Sequence, residues 1–249
     1  MYLTDRTRLI GGVAMLLAAI ATVTLVALTA SAGIDSDPGD RGDVATFLTD
    51  TAKHQELIIA ANVISITSDA LLALVVGSAL FMLFRDRSPL LATMILAGLV
   101  AGATMSAVND VVAIIGTFVA EDFVRGGVTG AVGGEAAALQ TGRVLGMFSF
   151  LMFTPMNLAF GLGFVSLGAV VAFAPQGAVN PPRWLGWVGL ASGLACWLSP
   201  LVWVHDALFV FFPLQLVTLL ILFIGLGTWL ITHSSEETAT ASQVVPQPA

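Results

Sequence analysis

Six long apolar stretches separated by short polar joints constrain this chain more than anything else in it. They cover residues 9–31, 57–84, 89–119, 144–174, 184–204 and 208–232. Crossing the hydrocarbon core of a bilayer takes about 20 apolar residues wound as helix. In lipid every backbone amide must find its partner within the segment, so each stretch is expected to be an α-helix. Composition agrees. Charged residues make up 10% of the chain and mean hydropathy is +0.95, whereas a soluble domain needs roughly 25% charged residues to wet its surface. The expected fold is therefore all-α: a polytopic six-helix transmembrane bundle filling residues 1–232, with a disordered tail over 233–249. The spans leave no room for a folded soluble domain.

Positive charge near span ends sets orientation, because Lys and Arg are retained in the cytoplasm. Arg6 and Arg8 precede the first span, Arg85 and Arg87 fill the turn between spans two and three, and Arg183 precedes span five. All three places fall on one side if the six spans alternate. The other side carries two longer acidic loops, with Asp35, Asp37, Asp40, Asp43, Asp50 and Glu56 in the first and Glu121, Asp122 and Glu135 in the second. Both termini are thus expected in the cytoplasm, and the expected location is a plasma membrane, a bacterial inner membrane. Trp184, Trp187 and Trp229 would mark the inner interface, and Trp197 and Trp203 the outer one. Within the loops, residues 43–54 and 135–143 have the look of short helices leading into spans two and four. Ala30-Ser31-Ala32 resembles a signal-peptidase site, but its apolar run is longer than a usual signal core.

No catalytic motif rises above chance, and no cofactor is implied. The Gly127, Gly130 and Gly133 spacing lies in a loop with no preceding strand, so it is not a dinucleotide fingerprint. His54, His205 and His233 all sit at span ends, with no zinc-protease spacing among them, and no metal site is assigned. A net charge of −7 is not a nucleic-acid footprint. The lone Cys196 reads as a small packing residue.

What remains are polar groups inside the spans. Asn62, Ser65 and Asp69 share one face of span two, at i, i+3 and i+7. Span three repeats small or polar residues every fourth position: Gly98, Gly102, Ser106 and Asp110. Small residues at that spacing let helix backbones approach closely, here expected against span two. Gly227 in span six is expected on a less crowded face. Matching depth by distance from the Arg85–Arg87 turn sets Asp69 level with Thr104, and Asn62 level with Asp110 and Asn109. Asn157 in span four falls near the centre and Gln215 in span six falls further out. A charge at mid-bilayer costs at least about 2.5–3.5 kcal/mol, and all nine Lys and Arg residues lie outside the spans. Asp69 is therefore expected to be protonated, bound to a cation or wetted. Asp69, Asp110, Asn62, Thr104 and Asn157 form the candidate ion or substrate site.

The stretch Pro182-Arg183-Trp184-Leu185-Gly186-Trp187-Val188-Gly189-Leu190, the basic start, the acidic first loop and the helix ending Phe84-Arg85-Asp86-Arg87 resemble an uncharacterised bacterial family. Its members are small six-helix membrane proteins grouped as a domain of unknown function, and the likeness covers about residues 6–232. The resemblance implies the six-helix architecture and brings no activity or site residues. Two functions stay open. One is a non-enzymatic membrane protein acting through partners, lipids or a signal, with the bilayer, a membrane-protein partner or a second copy as its contacts. The other is a small proton- or cation-coupled transporter or channel using Asp69.

Overall fold

The computed structural model describes residues 2–32, 44–126, 134–173, 181–203 and 205–234. Helix α1 covers Tyr2–Ala32, α2 Val44–Lys53, α3 Gln55–Phe84, α4 Pro89–Val124, α5 Glu135–Phe173, α6 Arg183–Leu198 and α7 Phe211–Thr232. Short 3-10 turns, Ser199–Trp203 and Asp206–Val210, follow α6 and precede α7. Among the described residues there is no strand, and six helices are long and apolar enough to cross a membrane. Large apolar side chains stand in the open along them, among them Leu90 at 70%, Leu74 at 68% and Ile20 at 62% exposure. A water-soluble surface does not tolerate such density; a lipid-facing one requires it.

The expected short helix over residues 43–54 is α2. The one expected over 135–143 is not separate: residues 135–173 form a single helix. Nothing in Glu135-Ala-Ala-Ala-Leu-Gln-Thr breaks a helix, and most of these residues favour one. Helix α5 also continues through Pro155. The acidic stretch around Asp35–Asp43, the glycines Gly127, Gly130 and Gly133, and the tail beyond Ser234 lie outside the described residues.

The chain packs as two compact units. The first comprises residues 1–20, 70–103 and 157–249, the second residues 21–69 and 104–156. The first unit has the larger core: Met15, Leu80, Ile95, Leu99, Leu167, Leu185, Leu222 and Leu226 are all at most 1% exposed. Its helices meet at small residues. A Cβ on Gly12 of α1 would lie 2.7 Å from the carbonyl oxygen of Gly227 on α7. Gly227 is thus at a tight crossing and not on an open face. Periodicity along α7 could not reveal this, because the neighbour is set by which helix arrives there. The turn from α3 to α4 closes through Arg85 N–H to the Phe81 carbonyl and Ser88 N–H to the Phe84 carbonyl, both 2.9 Å. Pro89 then opens α4, where its missing N–H costs nothing. Between Ala70 and Gly77, α3 widens to π geometry over Leu71–Val76. Arg8 is buried, and its guanidinium reaches the His233 carbonyl at the end of α7 at 3.5 Å, where the helix leaves carbonyls unpaired. Cys196 is a buried free thiol. Trp197 fills the space beside Gly161 and donates to the Leu158 carbonyl at 3.0 Å, so its indole serves a helix crossing.

The second unit is built from 21–32 of α1, all of α2, 55–69 of α3, 104–124 of α4 and 135–156 of α5. The amphipathic α2 turns Leu48 and Thr51 inward. Leu48 packs with Val119, Ala120 and Ala138 in a small apolar cluster. Polar contacts surround it: Gln55 donates to Glu121 at 3.5 Å, Arg125 pairs with Glu121 at 2.9 Å and Lys53 with Asp50 at 2.8 Å.

Candidate functional site

The polar residues of α3 and α4 fall together within the second unit. The Ser106 hydroxyl donates to the Asp69 carboxylate, and the Ser65 hydroxyl donates to Asp110. Each helix thus carries Ser-x-x-x-Asp, and each Asp accepts from the serine of the other. The two carboxylates are near enough for their charges to interact. Asp110 is buried and Asp69 half-buried. In both, Oδ2 is buried without a hydrogen-bond partner, as is Oδ1 of Asn109.

This register sits two to three residues from the one that distance from the turn implies, which would have set Asp69 beside Thr104 and Asn62 beside Asp110. The cause is the lean of helical side chains. Each points back toward its own N-terminus, so a given spot is covered by a residue about one position further along. On antiparallel helices the lean adds one position on each. Thr104 is left exposed. Asn62 is half-buried and donates its amide to the Ile58 carbonyl at 2.7 Å.

The every-fourth-residue stripe of α4 does not serve one neighbour. Four residues advance a helix by about 40° beyond a full turn, so Gly98 and Asp110 point about 120° apart. In the first unit, Gly98 faces α5: a Cβ there would lie 2.5 Å from the Gly163 nitrogen and 2.7 Å from the Ala159 oxygen. One at Gly102 would strike the Phe160 ring at 2.6 Å. The expected partner of these two glycines was span two; the helix they meet is α5, and Ser106 and Asp110 are the members of the stripe that turn toward α3.

Asn157 belongs to the first unit. It is 1% exposed, and its Oδ1 accepts from Gln215 Nε2 at 3.2 Å. Ser199 Oγ donates to Gln215 Oε1 at 2.7 Å and lies 2.8 Å from the Ala195 carbonyl. Three spans are therefore stitched by one polar chain. Depth counting set Asn157 and Gln215 in different layers, but a glutamine side chain is long enough to cross that difference.

Sequence reasoning missed a cavity. The second unit holds a partly open cavity of about 370 Å³ lined by α1, α2, α3, α4 and α5. Most of its wall is apolar, including Leu25, Leu28, Phe47, Ile58, Val112 and Leu145. Thr29, Thr51, Asn62 and Ser149 supply the polar points. Thr51 is 4% exposed and its hydroxyl has no partner. A Cβ on Gly116, in the cavity wall, would meet no atom within 4 Å. The only sequence signals were an isolated glycine in α4 and an amphipathic loop helix, neither of which fixes a cavity.

No curated protein matches the chain. No solved structure matches it either. A family model, Domain of unknown function (DUF4386), matches residues 8–233, which takes in all six candidate membrane spans apart from residues 5–7 at the start of the first. The chain belongs to the DUF4386 family.

Proposed function

We propose that this protein is a multi-pass plasma-membrane protein, bacterial and non-enzymatic, that binds an apolar or amphiphilic ligand such as a lipid chain. The observation that carries this reading is the 370 Å³ cavity of the second unit. Ligand sites are concave, mostly apolar and equipped with a few placed polar groups, at volumes of roughly 300–1,000 Å³. An acyl or prenyl chain suits the Leu, Val and Phe wall, and a hydroxyl or carbonyl on the ligand would satisfy Thr51. The test is binding of a fluorescent fatty-acyl probe to purified protein. Gly116→Phe, which projects a ring into open space, is expected to weaken binding by at least about tenfold, equivalent to 1.4 kcal/mol. Its thermal midpoint should stay near wild type. Equal binding by variant and wild type would sink the proposal.

The arginines flanking the spans support a topology with both termini in the cytoplasm, in which the cavity lies toward the outer leaflet. A cysteine at Glu56, exposed at the start of α3, is expected to react with an impermeant thiol reagent in intact cells. One at Asp86, exposed in the α3–α4 turn, is expected to react only after permeabilisation. The reverse pattern would invert the topology.

A second reading, a small proton- or cation-coupled transporter or channel, is favoured by the reciprocal Ser–Asp pairs. Proteoliposome flux under imposed proton or sodium gradients, wild type against Asp69→Asn, decides it. Gradient-driven flux lost in the variant supports coupling, and no flux in wild type removes it.

A further inference from the structure

The Ser65–Asp69 and Ser106–Asp110 pairs pose a charge problem that the protein's own described residues leave unsolved. A carboxylate offers about four lone-pair directions, and each of the two carboxylates receives one serine hydroxyl. Oδ2 of Asp69 and Oδ2 of Asp110 are buried and receive none. Asp110 is 8% exposed, and its other oxygen is held by Ser65 of the facing helix, so its carboxylate is turned into the pair. Two anions close together in an apolar setting cannot both stay uncompensated.

Among the described residues, no compensating group comes from the elements of this unit; Arg125, just beyond α4, is exposed and pairs with Glu121. Residues 21–32 of α1 carry no charge. On α3 the other titratable group is Glu56, about 20 Å along the helix from Asp69. On α4 they are Glu121 and Asp122, about 17 Å or more from Asp110. Glu135 and Arg143 of α5 are exposed, and Lys53 of α2 is exposed and paired with Asp50. His54 stands at the α2–α3 junction, one residue outside α3.

We propose that the four side chains form a site for a single positive charge held between α3 and α4, either a proton shared by the two carboxylates or an alkali-metal ion bridging them. One positive charge suits this donor set. It supplies both orphan oxygens at once, leaves one net negative charge for the two serine hydroxyls to stabilise, and does not require the two hydroxyl acceptors that a doubly protonated pair would need. The site does not depend on what fills the cavity, although Asn62, in the cavity wall, lies one helical turn from Ser65.

The experiment uses full-length protein in lipid nanodiscs. One arm compares thermal midpoints in sodium chloride and choline chloride at fixed pH. The other follows the protonated-carboxyl band by infrared difference spectroscopy as pH is changed. A midpoint raised by sodium in wild type, and lost in both Asp69→Asn and Asp110→Asn, identifies an alkali ion. A sodium-independent protonated-carboxyl band, removed or displaced by either substitution, identifies a proton. Should the Asn variants not fold, Ser65→Ala and Ser106→Ala each remove one hydroxyl and must alter the same signal. Neither signal in wild type overturns the proposal, as does a signal undiminished in the Asp69→Asn/Asp110→Asn double variant or unaltered in both folded serine variants.

Discussion

Gly98→Leu is expected to lower the thermal midpoint in detergent by roughly 10 °C, the largest loss of any single change considered for this protein. Overpacking a tight contact costs about 1–3 kcal/mol and occasionally more, and about 2–4 °C accompanies each kcal/mol in a chain of this size. The upper end applies because the obstacles are main-chain atoms. A Cβ at position 98 already meets the Gly163 nitrogen at 2.5 Å and the Ala159 oxygen at 2.7 Å, and neither can rotate aside. The helices must separate, giving up the dispersion contacts that hold membrane helices together. Gly102→Leu strikes the Phe160 ring instead, which can turn, so its loss should be smaller. A scan of midpoints by fluorescence-detected size exclusion gives the order. A wild-type midpoint for Gly98→Leu would mean that the α4–α5 crossing is not as close as described.

That crossing also marks where the sequence stops being informative. Six spans are legible because each is a local property: twenty apolar residues must be helical in lipid whatever surrounds them. The chemical content of the site is legible for a similar reason, since Asp69 and Asp110 are conspicuous in apolar segments. Partners are not local. Gly98 and Gly102 look identical in spacing to Ser106, yet winding turns them toward a different helix. Gly227 meets Gly12 across more than two hundred residues of chain. The Asp69–Ser106 register needed the lean of side chains and not only residue counting. The cavity follows from how five segments fail to fill the space between them, which no single segment encodes.

Asn157→Leu is expected to cost about 1–2 kcal/mol, because the change strands a partner and does not merely delete a bond. An unsatisfied buried amide loses roughly 1–3 kcal/mol. Hydrogen bonds between membrane helices average nearer 0.6 kcal/mol, so the full upper value is not expected here. With Asn157 gone, the half-buried Gln215 Nε2 group has lost its acceptor. Gln215 cannot swing away freely either, since Ser199 holds its Oε1 at 2.7 Å. The double variant Asn157→Leu/Gln215→Leu removes both ends. Ser199 then keeps the Ala195 carbonyl at 2.8 Å, and no amide is left stranded. Replacing both partners of a buried polar pair by apolar groups of similar shape can be nearly neutral, so the double variant should melt above the single one. Thermal midpoints of wild type, the two single variants and the double variant complete the cycle. If the double variant is worse than Asn157→Leu by the full cost of Gln215→Leu, the two side chains act independently, and the polar chain joining α5, α6 and α7 is not a cooperative brace.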